Sequence, residues 1–196
     1  MNDTERHPLE PFLPAGAKVL MLGSFPPKRE RWSMEFYYPN FLNDMWRIMG
    51  LLFYDDPQHF VAEGCKRFDR RRIVEFCTAR GLALYDTATV VRRLRDNAAD
   101  QFLEVVEPTD VAALLRRIPQ CRAVIVTGEK AAETVLLALG SRAQRYPKVG
   151  EAVGFDFEGR PMQLWRMPSS SRAYPRPVAW KAEFYRKVFR ETGILA

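Results

Sequence analysis

Two histidines and three cysteines in 196 residues leave little from which to build a metal centre. Cys65, Cys77 and Cys121 are too few and too scattered for an iron–sulfur cluster or a zinc ribbon, and an odd number reads as free thiols in a reducing compartment. No metal and no organic cofactor is expected. Long apolar runs are missing as well: the longest, Ile48 to Phe53, is broken by Gly50 and falls well short of the ~18 residues of a membrane span. The opening MNDTERHPLEPF carries mixed charge and two prolines instead of a basic stretch followed by an apolar one. No secretory leader is read there, and a cytoplasmic protein without a membrane partner is expected. The first strand is followed neither by a glycine-spaced dinucleotide fingerprint nor by a P-loop lysine, which removes nucleoside-triphosphate chemistry.

What is present is a positive charge weighted toward arginine. Of 30 basic residues 23 are arginine, against 24 acidic ones, and the net charge is +6. The planar guanidinium suits phosphate and the excess attracts polyanions, so nucleic acid becomes a candidate partner, although ordinary soluble enzymes carry such an excess too. Hydrophobic residues make up 47% of the chain, enough for a core without disulfides.

Lys18 to Gly23 (KVLMLG) reads as a buried strand, and Ser24 to Pro27 (SFPP) forbids helix continuation and makes a rigid turn. Apolar residues at helical spacing predict a helix over Phe41 to Phe53 with Asn40 as its N-cap. A second helix is predicted over Asp69 to Arg80, stopped by Gly81, and a strand over Gly81 to Asp86 (GLALYD). Val90 to Val106 is charged and mixed and reads as an excursion over the surface. Helix over Thr109 to Arg117, strand over Ala123 to Thr127 and helix over Glu129 to Leu139 continue the βαβ rhythm. A hairpin over Phe155 to Trp165 leads to Met167 to Ser171 (MPSSS), and the last helix runs from Val178 to Arg190 after Pro177. No repeat, low-complexity tract or long linker divides the chain. One α/β domain over residues 1–196 is expected, the first 16 residues an extension, with a mostly parallel sheet covered on both faces.

Ligands of open parallel sheets bind beyond the carboxyl ends of the strands, so the turn at Gly23 to Pro27 and the loop at Pro168 to Ser171 are expected to face one cleft. The serine run offers hydroxyls and backbone N–H groups ahead of a helix, a suitable cradle for phosphate, though such a run is more often a solvated turn. Between the two lies Phe36 to Trp46 (FYYPNFLNDMW). Phe41, Met45 and Trp46 read as core; Tyr37, Tyr38 and Asn43 read equally as a base-stacking and water-orienting set or as capping and solvent-facing residues. Asp86 reads as a site residue or as a turn acceptor. His7 and His59 read as surface residues, and the Arg70 to Arg72 run as a solvated helix start.

The ordered series Leu22-Gly23-Ser24-x-Pro26, Tyr37-Tyr38, Asn43-x-x-Trp46, Gly81 to Asp86 and Met167 to Ser171 resembles the uracil-DNA glycosylase superfamily, nearest its mismatch-specific and hypoxanthine-DNA glycosylase-like branches. The resemblance runs from about Lys18 to the last helix. It implies a three-layer α/β/α sandwich with a short, mostly parallel central sheet. It also implies a monomeric repair enzyme that hydrolyses the N-glycosidic bond of a deaminated base, uracil or hypoxanthine, flipped out of DNA. Carried over by position, Gly23, Ser24 and Phe25 contact the flipped base, Tyr38 stacks on it, and Ser169, Ser170 and Ser171 grip the DNA backbone.

Phe25 stands where many branches carry the Asp or Asn that places the attacking water, and Met167 where several have histidine. In the hypoxanthine-type branch that role falls to an asparagine ahead of the helix tryptophan, which is Asn43 here. No lysine sits in the motifs for a Schiff base, Lys28 being the one nearby, so a monofunctional enzyme is expected. The alternatives are a DNA-binding or lesion-recognising protein of this fold without the chemistry, and an enzyme acting on free nucleosides.

Overall fold

The structure is a computed structural model that describes residues 4–94, 102–140 and 145–196. The described elements run β1 (Thr4–Arg6), β2 (Val19–Gly23), α1 (Met45–Tyr54), α2 (Arg70–Arg80), β3 (Leu82–Asp86), β4 (Ala88–Arg93), β5 (Leu103–Pro108), α3 (Val111–Arg117), β6 (Ala123–Thr127), α4 (Glu129–Leu139), β7 (Ala152–Phe157), β8 (Arg160–Met167) and α5 (Val178–Glu191). In β2, β3 and β6 every residue is buried. Their apolar runs lack alternation because both faces are covered.

The central sheet has the order β3-β2-β6-β8-β7. Its first four strands are parallel, and β7 closes one edge as the antiparallel arm of a hairpin with β8. The chain steps from β2 out to β3, then back across to β6 and β8. Because the chain leaves β2 in one direction for β3 and the other way for β6 and β8, the right-handed rule for parallel crossovers assigns the helices of the two halves to opposite faces, which makes three layers. Phe53 of α1 packs on Phe76 of α2 and Phe189 of α5, with ring centroids 4.9 and 5.7 Å apart. The three-layer, mostly parallel architecture expected from the sequence is the one found.

Two local expectations are corrected. The helix predicted from Phe41 begins at Met45, and its N-cap is Asp44, not Asn40. Asn40 Oδ1 accepts the Leu42 N–H at 2.9 Å and its carbonyl accepts the Asn43 N–H at 2.8 Å, a local turn that competes with helix. The supposed surface excursion is also structured at both ends. β4 and β5 pair antiparallel and β1 adds to β4, while residues 95–101 lie outside the described part. The charges that hide these strands from a composition reading pair across them. Arg92 meets Glu104 at 2.9 Å and Arg93 meets Glu5 at 2.9 Å, as opposite charges on neighbouring strands do. Residues 4–16, read as an extension, supply β1 and a bridge from Phe12 to Leu84 at the free edge of β3. Among the described residues no helix is long and apolar enough to cross a membrane.

Candidate active site

The parallel strands all end at one edge of the sheet. A cleft of about 130 Å3 opens there, lined by Gly23 to Pro27 after β2, by Tyr37 to Asn40 and Asn43 ahead of α1, by Asp86 and Thr127 at the ends of β3 and β6, and by Ser169 to Ser171 after β8. Gly23, Ser24, Phe25, Tyr38, Asn43, Ser169, Ser170 and Ser171 are all on it. The two strand-end loops face one cleft.

The turn after β2 is held through its carbonyls. Thr87 N donates to Gly23 O at 2.8 Å, Thr87 Oγ1 to Ser24 O at 3.4 Å, Arg93 to Pro26 O at 2.8 Å and Trp32 Nε1 to Pro27 O at 2.7 Å. Phe25 reaches from this turn to His7, ring to ring at 5.3 Å and edge-on.

Gly23 sits opposite Asp86 in the β2–β3 register. A Cβ at Gly23 would collide with Asp86 Oδ1, so the absence of a side chain is what lets the carboxylate lie at the cleft. Its other oxygen, Oδ2, is 2.9 Å from His7 Nε2. The His7 side chain is 2% exposed, which corrects its reading as a surface residue: directly after β1, its ring packs among Phe25, Tyr37 and Tyr85. Nδ1 either accepts the Leu9 N–H at 3.2 Å or donates to Leu9 O at 2.9 Å, so either charge state of the ring is satisfied while Nε2–H serves Asp86. His59, by contrast, is half-buried and stacks on Tyr54 at 3.5 Å.

On the opposite wall Asn43 Oδ1 accepts the Met45 N–H at 2.9 Å. The amide thus caps α1 in place of Asp44, whose side chain makes no cap bond, and its orientation is set by the helix start. Arg47, buried at 7% exposure, donates to Phe41 O at 2.7 Å and Asn43 O at 3.1 Å. Burial pushes its guanidinium pKa below the usual value, and Arg172 adds to that. Tyr38 has φ +50°, a left-handed conformation that costs roughly 1–3 kcal/mol for such a residue. Its ring lines the cleft while its hydroxyl meets Thr127 Oγ1 at 3.3 Å. Desolvation raises the Tyr38 and Tyr37 pKa values, with Asp86 adding to each; both phenols stay neutral hydrogen-bonding groups.

The serine loop is braced from behind. Asp44 N donates to Ser170 O at 2.9 Å, and Lys181 Nζ, fully buried, donates to both Ser171 O and Asp44 Oδ2 at 2.9 Å. Ser169 and Ser171 are half-buried and Ser170 is buried at 3% exposure. Met167 is wholly buried, so its side chain belongs to the core. Sequence reasoning missed Asp44 and Lys181 and misread His7. A buried lysine on an otherwise amphipathic α5 was a signal open to it; nothing local marks His7. Among the described residues no three His, Cys, Asp or Glu side chains gather as a metal site.

No protein-family model matches the chain, and no curated protein matches it by sequence. Among solved structures, a solution NMR structure from Methanosarcina acetivorans, described as a "putative Uracil DNA glycosylase", aligns with a TM-score of 0.60 at 21% identity, over 97% of this chain and 99% of that one. At that identity the likeness is one of fold. The chain has the uracil-DNA glycosylase-like α/β/α fold.

Proposed function

We propose that the protein is a monofunctional DNA glycosylase that hydrolyses the N-glycosidic bond of uracil or hypoxanthine turned out of DNA into the cleft. The observation that carries this reading is the convergence of Asn43, Asp86, Tyr38, the Gly23–Phe25 turn and the serine loop on one small cavity. An apolar cavity of about 150 Å3 holds one benzene ring, so about 130 Å3 suits a single six-membered ring without rearrangement. A two-ring base would extend toward the open mouth.

Asp86 supplies the selectivity. An ionised carboxylate only accepts hydrogen bonds. Deamination turns the acceptor ring nitrogen of cytosine or adenine into the N–H donor of uracil or hypoxanthine. Asp86 therefore welcomes the deaminated base and repels the lone pair of its parent. His7, donating to Oδ2, holds that carboxylate in place and spreads its charge, which matters because the base departs with negative charge. Backbone N–H groups of Ser24 and Phe25 serve that leaving charge, and the phosphates of the bound DNA serve the positive sugar.

Asn43, its amide fixed by the cap bond, uses the remaining lone pair of Oδ1 to orient the attacking water. A neutral amide is a weak base, so its contribution is positioning. Ser169 and Ser171 hold the backbone beside the lesion through hydroxyl donors.

Single-turnover base release from oligonucleotides carrying uracil, hypoxanthine or xanthine, single- and double-stranded, tests the reading. Release by the wild type that falls roughly 100-fold in Asn43→Ala is the expected result. A second reading, recognition of damaged DNA without chemistry, is favoured by Phe25 at the usual water-placing position. It would be adopted if the protein bound duplex DNA with steep salt dependence and released no base at enzyme excess.

A further inference from the structure

The charge at the end of β3 belongs to a pair. Asp86 lines the cleft, and its Oδ2 lies 2.9 Å from Nε2 of His7, a residue that does not line the cavity and reaches it only through this contact. The segment that carries His7 is pinned around it. His7 N donates to Thr89 O at 2.8 Å, Phe12 and Leu84 exchange backbone bonds at 3.0 and 2.9 Å, and the Tyr37 hydroxyl donates to Glu10 O at 2.7 Å. With its ring packed among Phe25, Tyr37 and Tyr85, the imidazole is held in place whatever its charge.

What makes the pair adjustable is the group facing Nδ1. Leu9 offers that nitrogen both a donor and an acceptor, its N–H at 3.2 Å and its carbonyl at 2.9 Å. A neutral ring accepts from the N–H and a doubly protonated ring donates to the carbonyl, with Nε2–H on Asp86 in both states. A proton can therefore come and go at Nδ1 without breaking the bond to Asp86. The other ionisable groups around the ring are already committed. Tyr85 on β3 and Tyr37 ahead of α1 are held above the ordinary phenol value, chiefly by burial. Arg93 of β4, over the Phe25 ring, is paired with Glu5, and Arg6 and Glu10 on the segment of His7 itself are exposed.

We infer that His7 sets the charge beneath the departing base: doubly protonated, it neutralises Asp86, and singly protonated, it leaves a net negative charge beside the forming anion. When the C1′–N bond breaks, its electron pair leaves with the base while the proton stays on Nδ1, so His7 acts through Asp86 as a positioning residue. The inference rests on the proposed glycosylase reading for its reaction. It goes beyond that reading in making the rate depend on one proton, carried by a residue outside the cleft. A unit charge a few ångströms from a developing anion, in a site walled by packed rings, changes the rate by about tenfold or more.

Single-turnover release of uracil or hypoxanthine from single-stranded oligonucleotides at saturating enzyme separates this step from binding. Between about pH 5.5 and 8.5, the range in which histidine changes charge, wild type should slow by about tenfold or more as pH rises. His7→Gln, whose amide can still donate to Asp86 but carries no charge, should show no such fall. A wild-type rate that is flat or rises with pH, or an equal fall in His7→Gln, overturns the inference.

The proton is also read without chemistry. The chain has two histidines, so in His59→Gln the ring signals of labelled histidine come from His7 alone. NMR of the free protein should show Nε2 protonated throughout, Nδ1 gaining its proton as pH falls, and a midpoint matching that of the rate profile. A mismatch between the two midpoints overturns the inference. If no substrate releases a base, the glycosylase reading fails on its own. The assignment of the cleft charge to His7 then stands if Nδ1 titrates, and falls if Nδ1 keeps one state across about pH 5.5 to 8.5.

Discussion

A carboxylate at the end of a wholly apolar strand has to be kept from collapsing onto its neighbours, and Asp86 is kept by two devices. Gly23 gives it room and His7 gives it a donor. The consequence is selectivity, and it is measurable in Asp86→Asn. The amide can present either oxygen or NH2 to the cleft, so the discrimination between a deaminated base and its parent should fall at least about tenfold. Comparing release from uracil- and cytosine-containing single strands decides it; an unchanged ratio would remove Asp86 from base reading. Asn43 shows the limit of reading a residue by its type alone. Its candidacy came from a resemblance, while the structure adds that the amide oxygen caps α1, a role that fixes its orientation.

Among the elements, α1 and α5 are tied to the serine loop through one buried ion pair. Lys181 is fully buried and Asp44 nearly so, 2.9 Å apart, with Arg172 at 3.4 Å as a partly exposed second partner of Asp44. Removing one member of a buried pair costs about 3–5 kcal/mol because the other is left uncompensated. Lys181→Met should therefore destabilise the protein by about 3 kcal/mol, read as a shift of the urea midpoint. Adding Asp44→Leu should restore part of the loss, since neither member of the pair then leaves the other uncompensated; simple additivity of the two would argue against a coupled pair. The expected helix at Phe41 failed for an element-scale reason too. The apolar spacing there is genuine, but asparagines on both sides of Leu42 bind their own backbone and delay the helix to Met45.

For the whole molecule, burial of weak acids sets the alkaline limit. Tyr37, Tyr38 and Tyr185 are raised above the ordinary value of 10.0, chiefly by desolvation. Cys77 is raised above 9.0, and Cys121 to about 11, by the same cause. A folded-state value above the unfolded one means that the neutral group favours the fold. That contribution is complete below the unfolded values of 9.0 and 10.0 and is lost as pH rises through them toward the folded ones. Urea midpoints should be lower at about pH 11 than at pH 8, with part of the tyrosinate absorbance appearing only together with loss of structure, because Tyr54 and Tyr146 are exposed while Tyr37 and Tyr185 are buried. Complete tyrosine ionisation ahead of unfolding would contradict the burial.

The amino-acid sequence by itself determined the layered α/β class. Three short runs without polar interruption have to be strands covered on both faces, and capped, periodic segments between them have to be crossover helices. It also determined that Gly23 to Phe25 and the serine run end parallel strands at one edge. Only the tertiary structure decided which groups meet there. His7 and Asp86 are separated by 79 residues and Asp44 and Lys181 by 137, and the β1–β4–β5 sheet joins segments whose charges conceal any alternation. Local pattern records which face of an element is apolar; it holds no record of which distant side chain arrives to neutralise a buried charge. That partner is set by register, crossover handedness and packing, which exist only once the chain has folded.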